Sequence, residues 1–272
     1  MHSIYQNKSD SPLIMGILNI TPDSFSDGSQ YNNIDLAYER ARQMQQAGVD
    51  IIDIGGESTR PGAAEISAEE EIERVVPVIQ KLKTLQIPIS IDTSKAKVMK
   101  AAVESGASMI NDVRALQQEN ALQMVAKLQV PVCLMHMQGE PRSMQKEPIY
   151  RNVVEQVIGF LHQRVKACEN AGLNRSLISL DPGFGFGKSL RHNLELLKHL
   201  DRLVELGLPI LAGLSRKSML GQITGKPVEH RLSASLAVAQ VAMQKGAKII
   251  RVHDVTETND IRQVFMAMKE LE

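Results

Sequence analysis

The chain has 272 residues, with 31 lysines and arginines against 31 aspartates and glutamates, and its aromatics are five phenylalanines and four tyrosines with no tryptophan. Zero net charge is unlike the basic excess of a general nucleic-acid binder, and so few aromatics leave little for a base-stacking platform. At 43% apolar and 23% charged residues, the composition is globular rather than disordered. In chain order, short apolar runs alternate with helical patterns. Leu13–Leu18 is followed by helical spacing over Ile34–Ala47, stopped by Gly48. Ile51–Ile54 is followed by Ser67-Ala68-Glu69-Glu70, which reads as a capping box opening a helix through Leu85. Ile89–Ile91 leads to Ser94–Ser105 before Gly106, and Met109–Ile110 comes next. Val132–Met135 precedes the longest helical pattern, Val153–Ala171. Leu177–Leu180 and Ile210–Leu211 follow, then helical spacing over Arg231–Lys245, and last Ile249–Val252.

Continuous apolar runs are strands buried on both faces, the mark of a parallel sheet. Eight such units predict an α/β protein built as a single (β/α)8 TIM barrel over residues 13–272. An open doubly wound sheet is the alternative. No linker or low-complexity stretch interrupts the alternation, so one domain is expected behind a loose tail of residues 1–12. Cys133 and Cys168 have neither metal spacing nor a disulfide pattern, which fits a reducing compartment. No apolar run reaches the ~18 residues of a membrane span. The polar start lacks a signal peptide's apolar segment, so the cytoplasm is expected.

Every predicted strand ends in polar residues. Asn19 follows the first, Asp53 through Gly62 the second, Asp92-Thr93-Ser94 the third and Asn111-Asp112 the fourth. His136, Asp181 through Lys188, Gly213 through Ser218, and Arg251 through Asp254 follow the others. One Asp after a strand is a cap or turn former; eight coincident polar ends describe a site on the face where barrel enzymes do chemistry. The glycine-rich Gly183–Ser189 stretch fails both nucleotide motifs, because Pro182 and Lys188 stand where glycines are required. Arg60, Arg216, Lys217 and Arg251, with His253 beside them, would form an anion site. Asp92, Asn111 and Asp181 could read the edge of a heterocycle. A substrate with a polar planar ring at one end and an anion at the other is expected.

Taken together and in order, these segments resemble the dihydropteroate synthases. The stretches that carry the likeness are Gly16 through Gly28, Asp53 through Gly62, Ile91-Asp92-Thr93, Ile110-Asn111-Asp112, Leu134 through Met137, Asp181 through Lys188, Ser215 through Ser218 and Ile249 through Asp254. The resemblance implies condensation of 6-hydroxymethyl-7,8-dihydropterin diphosphate with p-aminobenzoate, a step of folate synthesis and the target of sulfonamides. It implies a pterin pocket of Asp92, Asn111, Asp181, Lys217 and Met135, with Asp92 and Lys217 catalytic. It implies a diphosphate site of Thr59, Arg251 and His253, with Mg2+ on Asn19. It implies an aminobenzoate side of Arg60, Pro61, Phe186 and Ser215 under a loop around Phe25. It also implies a homodimer through the last two helices, read over Leu232–Met243 and Ile261–Met268. Ser29 and Ala234 depart from glycines common in the family, away from these contacts. Two other readings are a methyltetrahydrofolate–corrinoid methyltransferase and a non-catalytic pterin-binding barrel.

Overall fold

The computed structural model of the chain describes residues 10–20, 30–58, 65–139 and 148–271. Its strands are β1 (Leu13–Asn19), β2 (Ile51–Gly55), β3 (Ile89–Asp92), β4 (Met109–Asp112), β5 (Val132–Met135), β6 (Ile178–Asp181), β7 (Leu211–Ala212) and β8 (Ile249–Val252). They pair in parallel in the order β6-β5-β4-β3-β2-β1-β8-β7. The edges meet through a parallel bridge between Leu180 and Ile210, with the Leu180 amide donating to the Pro209 carbonyl at 2.9 Å. This closes the predicted (β/α)8 barrel and excludes the open sheet.

The returns are α1 (Gln30–Gln46), α2 (Ala68–Leu82), α3 (Ala96–Ser105), α4 (Ala121–Leu128), α5 (Val153–Asn170), α6 (Leu190–Lys198), α7 (Asp201–Val204), α8 (Ser218–Thr224), α9 (Leu232–Gln244) and α10 (Val255–Lys269). Ser67 caps α2 by accepting from the Glu70 amide at 3.0 Å. The Glu70 carboxylate does not return to complete the box; it takes Arg74 at 2.5 Å. Two elements run longer than their apolar spacing. α1 starts at Gln30 rather than Ile34, and α10 starts at Val255 rather than Ile261.

The strand runs read as uniformly apolar, yet their side chains alternate between two environments. Ile52, Ile54, Ile110, Leu134, Ile250 and Val252 face the helices and join the large core. Leu13, Met15, Ile51, Met109, Cys133, Leu211 and Ile249 form a separate plug inside the barrel. Each such side chain contributes roughly 1.5–3 kcal/mol when fully buried. On five of the strands the next inward position, above that plug and toward the strand ends, is polar. There Asp53, Asn111 and Arg251 stand above Ile51, Met109 and Ile249, and Asp92 and Asp181 stand above the buried Ser90 and Ser179. The ladder register also sets a level row: Asn19 pairs with Gly55, Gly55 with Asp92, and Asp92 with Asn111.

Candidate active site at the barrel mouth

The mouth is organised around one buried carboxylate. Asp53 on β2 is fully buried. Its Oδ2 accepts from Asn111 Nδ2 on β4 at 3.0 Å and from Arg251 Nε on β8 at 2.6 Å. Arg251 Nη2 reaches on to Asp92 Oδ2 on β3 at 2.8 Å. Burial pushes the Asp92 carboxyl up to about 7; Arg251 pulls it down, and Asp53 adds to the rise. Burial works against the Arg251 charge, but Asp53 and Asp92 together outweigh it and hold the guanidinium charged. On β6, Asp181 Oδ1 accepts from the Gly183 amide at 2.7 Å, and burial raises this carboxyl as well.

Lys217 leads into α8 and places its Nζ 4.3 Å from the centre of the Phe186 ring, a favourable cation–π contact. Burial, then the Arg251 charge, lowers the Lys217 ammonium to about 8. The Ser215 hydroxyl lies 3.0 Å from His253 Nδ1 and also accepts from the His253 amide at 3.2 Å. Burial, followed by the Arg251 and Arg216 cations, lowers the His253 imidazole to about 4. His253 is therefore a neutral hydrogen-bonding group at pH 7, not a cation.

The cationic mouth read from the sequence is consequently less charged than expected. Arg216 is taken by Asp254 through a two-point ion pair whose Nε–Oδ2 arm is 3.0 Å. Phe184 is 1% exposed in the core, away from the mouth, whereas Phe186 is half-buried beside Lys217. Met135 lines a cavity of about 250 Å³ with Val113 and Met137. Phe25, Thr59, Arg60 and Pro61 lie outside the described residues. The base of the segment that carries the last three is braced. Glu57 accepts from the Ile66 amide at 3.2 Å and pairs with Lys95 at 2.7 Å, and Lys95 also holds Glu71 at 2.7 Å.

Sequence reasoning missed two groups here. Asp53 stood among the polar strand ends but received no role. Lys188 is 3% exposed, and its Nζ donates to the carbonyls of Gly183 and Phe186 at 2.9 Å each and of His136 at 3.3 Å, and lies 3.0 Å from His136 Nδ1. Burial lowers Lys188 to about 7, and burial with the neighbouring Lys188 lowers His136 to about 3. The glycines around Lys188 answer to packing, not to a nucleotide. A Cβ on Gly183 would stand 1.9 Å from the His136 carbonyl oxygen, and one on Gly187 2.3 Å from that of Gln138. Only glycine lets the β6 loop lie on the β5 loop so closely.

The mouth thus sets acceptors (Asp92, Asn111, Asp181) against donors (Arg251, Lys217, His253). Magnesium takes hard oxygen donors and keeps few protein ligands. The Asn19 carboxamide is a donor of that kind, and its oxygen lies 3.5 Å from where a Gly55 Cβ would stand.

A closed barrel with its polar groups gathered at the strand C-termini defines a barrel enzyme that recognises a planar polar ring. Residues 15–253 match the model of the pterin binding enzyme family, and the chain belongs to that family and, within it, to the dihydropteroate synthases. It is 52% identical over 257 residues to the dihydropteroate synthase of Haemophilus influenzae, covering 94% of each chain. A Xanthomonas albilineans dihydropteroate synthase structure with 4-aminobenzoic acid superposes with a TM-score of 0.91 at 49% identity, covering 96% of this chain and 94% of that one. A structure of the enzyme from the same organism with 7,8-dihydropteroate gives 0.87 at 46% identity, covering 96% and 94%.

Proposed function

We propose that this enzyme condenses 6-hydroxymethyl-7,8-dihydropterin diphosphate with p-aminobenzoate, releasing diphosphate and forming 7,8-dihydropteroate. The observation that carries this reading is the donor–acceptor mouth around Asp53, Asp92, Asn111 and Arg251 in a chain of this family. Asp92, Asn111 and Asp181 accept from the pterin edge, Lys217 donates to it, and Met135 lines the pocket. Thr59, Arg251 and His253 hold the diphosphate. Arg60, Pro61, Phe186, Ser215 and Phe25 surround the aminobenzoate. Mg2+ on Asn19 and the substrate phosphates would neutralise charge growing on the leaving group.

The bond between the pterin methylene and the diphosphate oxygen breaks, and its electron pair leaves with the diphosphate. Arg251 and the neutral His253 meet that oxygen with hydrogen bonds. The Asp92 carboxylate steadies the positive charge left on the ring. The arylamine nitrogen then forms the new C–N bond and loses a proton. That amine is already a free base at neutral pH, so the reaction needs no side-chain nucleophile. Phe186, with Lys217 above it, gives the benzoate ring a flat wall.

No helix among the described residues is long and apolar enough to cross a membrane. The two buried free cysteines support a cytoplasmic enzyme. Exposed Val241 on α9, with Val264 and Met268 on α10, supports a homodimer through these helices, and light scattering would show one chain mass or two. The activity is tested by coupled diphosphate release in Mg2+. Release is expected only when both substrates are present, and no release with both present overturns the assignment.

A further inference from the structure

Asp53 touches no substrate in the mechanism above, yet it is fully buried at the mouth. Its Oδ2 carries both Asn111 and Arg251, while its Oδ1 is buried with no hydrogen-bond partner among the described residues. An orphaned carboxylate oxygen is a cost to folding that an apolar side chain of similar volume would avoid. Its retention calls for a return elsewhere.

That return lies in Asn111. A carboxylate beside a guanidinium is an acceptor only. The atom that Asn111 turns toward Asp53 must therefore be its NH2, since oxygen against oxygen would repel. With Nδ2 held at 3.0 Å by Asp53, the Asn111 carbonyl oxygen faces the other way, and it makes no hydrogen bond with the described residues. An amide is ambivalent by itself: rotated half a turn, it would offer a donor where it now offers an acceptor. Asp53 removes that choice. Its neighbours in the row need no such control, because Asp92 and Asp181 accept by nature.

We infer that Asp53 is a positioning residue that fixes the hydrogen-bonding sense of the ring-reading wall, holding the Asn111 amide so that Asp92, Asn111 and Asp181 all present acceptors to a ring edge that carries N–H donors. The inference rests on Asn111 being a ring contact. It makes Asp53 a determinant of which heterocycle edges are accepted, and not merely a counter-ion of Arg251.

The test removes the acceptor that holds the amide. The probe is 6-hydroxymethyl-7,8-dihydropterin without its diphosphate, titrated by calorimetry, with thermal melting as the folding control. Asp53→Leu takes away the oxygen shared by Asn111 and Arg251, leaves the Asn111 amide free to turn over and should weaken binding about tenfold. Asn111→Asp sets two carboxylates against each other and should weaken it about a hundredfold. In the double variant Asp53→Leu/Asn111→Asp, the carboxylate at 111 is an acceptor in either orientation and needs no control. Binding should recover to within about threefold of the parent. A double variant no tighter than Asp53→Leu alone overturns the inference. If the Leu variants do not fold, Asp53→Ala decides, and unchanged affinity there overturns it. Failure of the parent itself to bind the pterin would instead overturn the proposed function.

Discussion

Two half-hidden arginines, one at each end of the barrel, show what separates a structural group from a functional one. Arg262 on α10 sits at the strand N-termini and Arg251 at the C-termini, with side chains 16% and 19% exposed. Arg262 uses all three of its nitrogens. It donates to the carbonyls of Pro12 and Gly48 at 3.3 and 3.1 Å and to Asn259 Oδ1 at 2.7 and 3.1 Å, and it pairs with Asp50. Asp50 in turn accepts from the Ile14 amide at 2.7 Å. Two of the four partners are fixed backbone and the other two are held side chains, so the floor is tied shut. Arg251 is bound by two carboxylates and, among the described residues, keeps Nη1 without a partner. The mouth holds unspent hydrogen-bonding capacity, and the floor holds none in this pair.

Three substitutions probe that contrast. Asp92→Asn should lower kcat/KM by about a thousandfold. The Asp92 carboxyl sits at about 7 in the folded protein, well above the ~4 of an unfolded chain. Its contribution to stability is therefore complete below about pH 4 and is lost as pH rises through about 7. Activity, which needs the carboxylate, should rise over the window in which stability falls. Melting temperatures of parent and variant should accordingly differ most above pH 7, with Asp92→Asn the more stable. A difference that does not depend on pH would contradict this. Arg262→Ala should cost about 3 kcal/mol by leaving Asp50 uncompensated, measured by urea unfolding. Its kcat/KM at 25 °C should stay within about twofold of the parent, and a large loss there would erase the distinction between floor and mouth. Phe186→Ala should raise the KM for p-aminobenzoate about tenfold by removing an aromatic wall. The KM for the pterin diphosphate should change by less than about twofold, and parallel rises in both would deny Phe186 its place on the benzoate side.

The same contrast explains what could be read from the residues in advance. The barrel was legible because each strand is a run of β-branched and aliphatic side chains bounded by turn signals. The mouth was legible because those runs break to Asp92, Asn111 and Asp181 at the same relative place. Pairings were not legible, because they join residues far apart in the chain. Asp53 meets Asn111 across 58 positions and Arg251 across 198. Arg216 looked like a free cation because Asp254, 38 positions on, carries no local sign of its partner. Lys188 gave no signal either: its protein partners are three main-chain carbonyls and one imidazole nitrogen, which a sequence does not mark. Helix starts were misjudged at α1 and α10 because their first turns carry polar residues, such as Asn32, Asn33, Thr256 and Glu257, that lack apolar spacing.

The row running from Asn19 through Gly55 and Asp92 to Asn111 acts as a ruler cut into the sheet. Neighbouring strands lie about 4.8 Å apart, so three steps span about 14 Å of wall. Those intervals belong to the backbone ladder, and no substitution in a loop can stretch or shorten them. The loops of such an enzyme can drift in sequence and in the drugs they tolerate, while the distance from the Asn19 oxygen to the ring-reading amide stays as constant as the hydrogen bonds that space the strands.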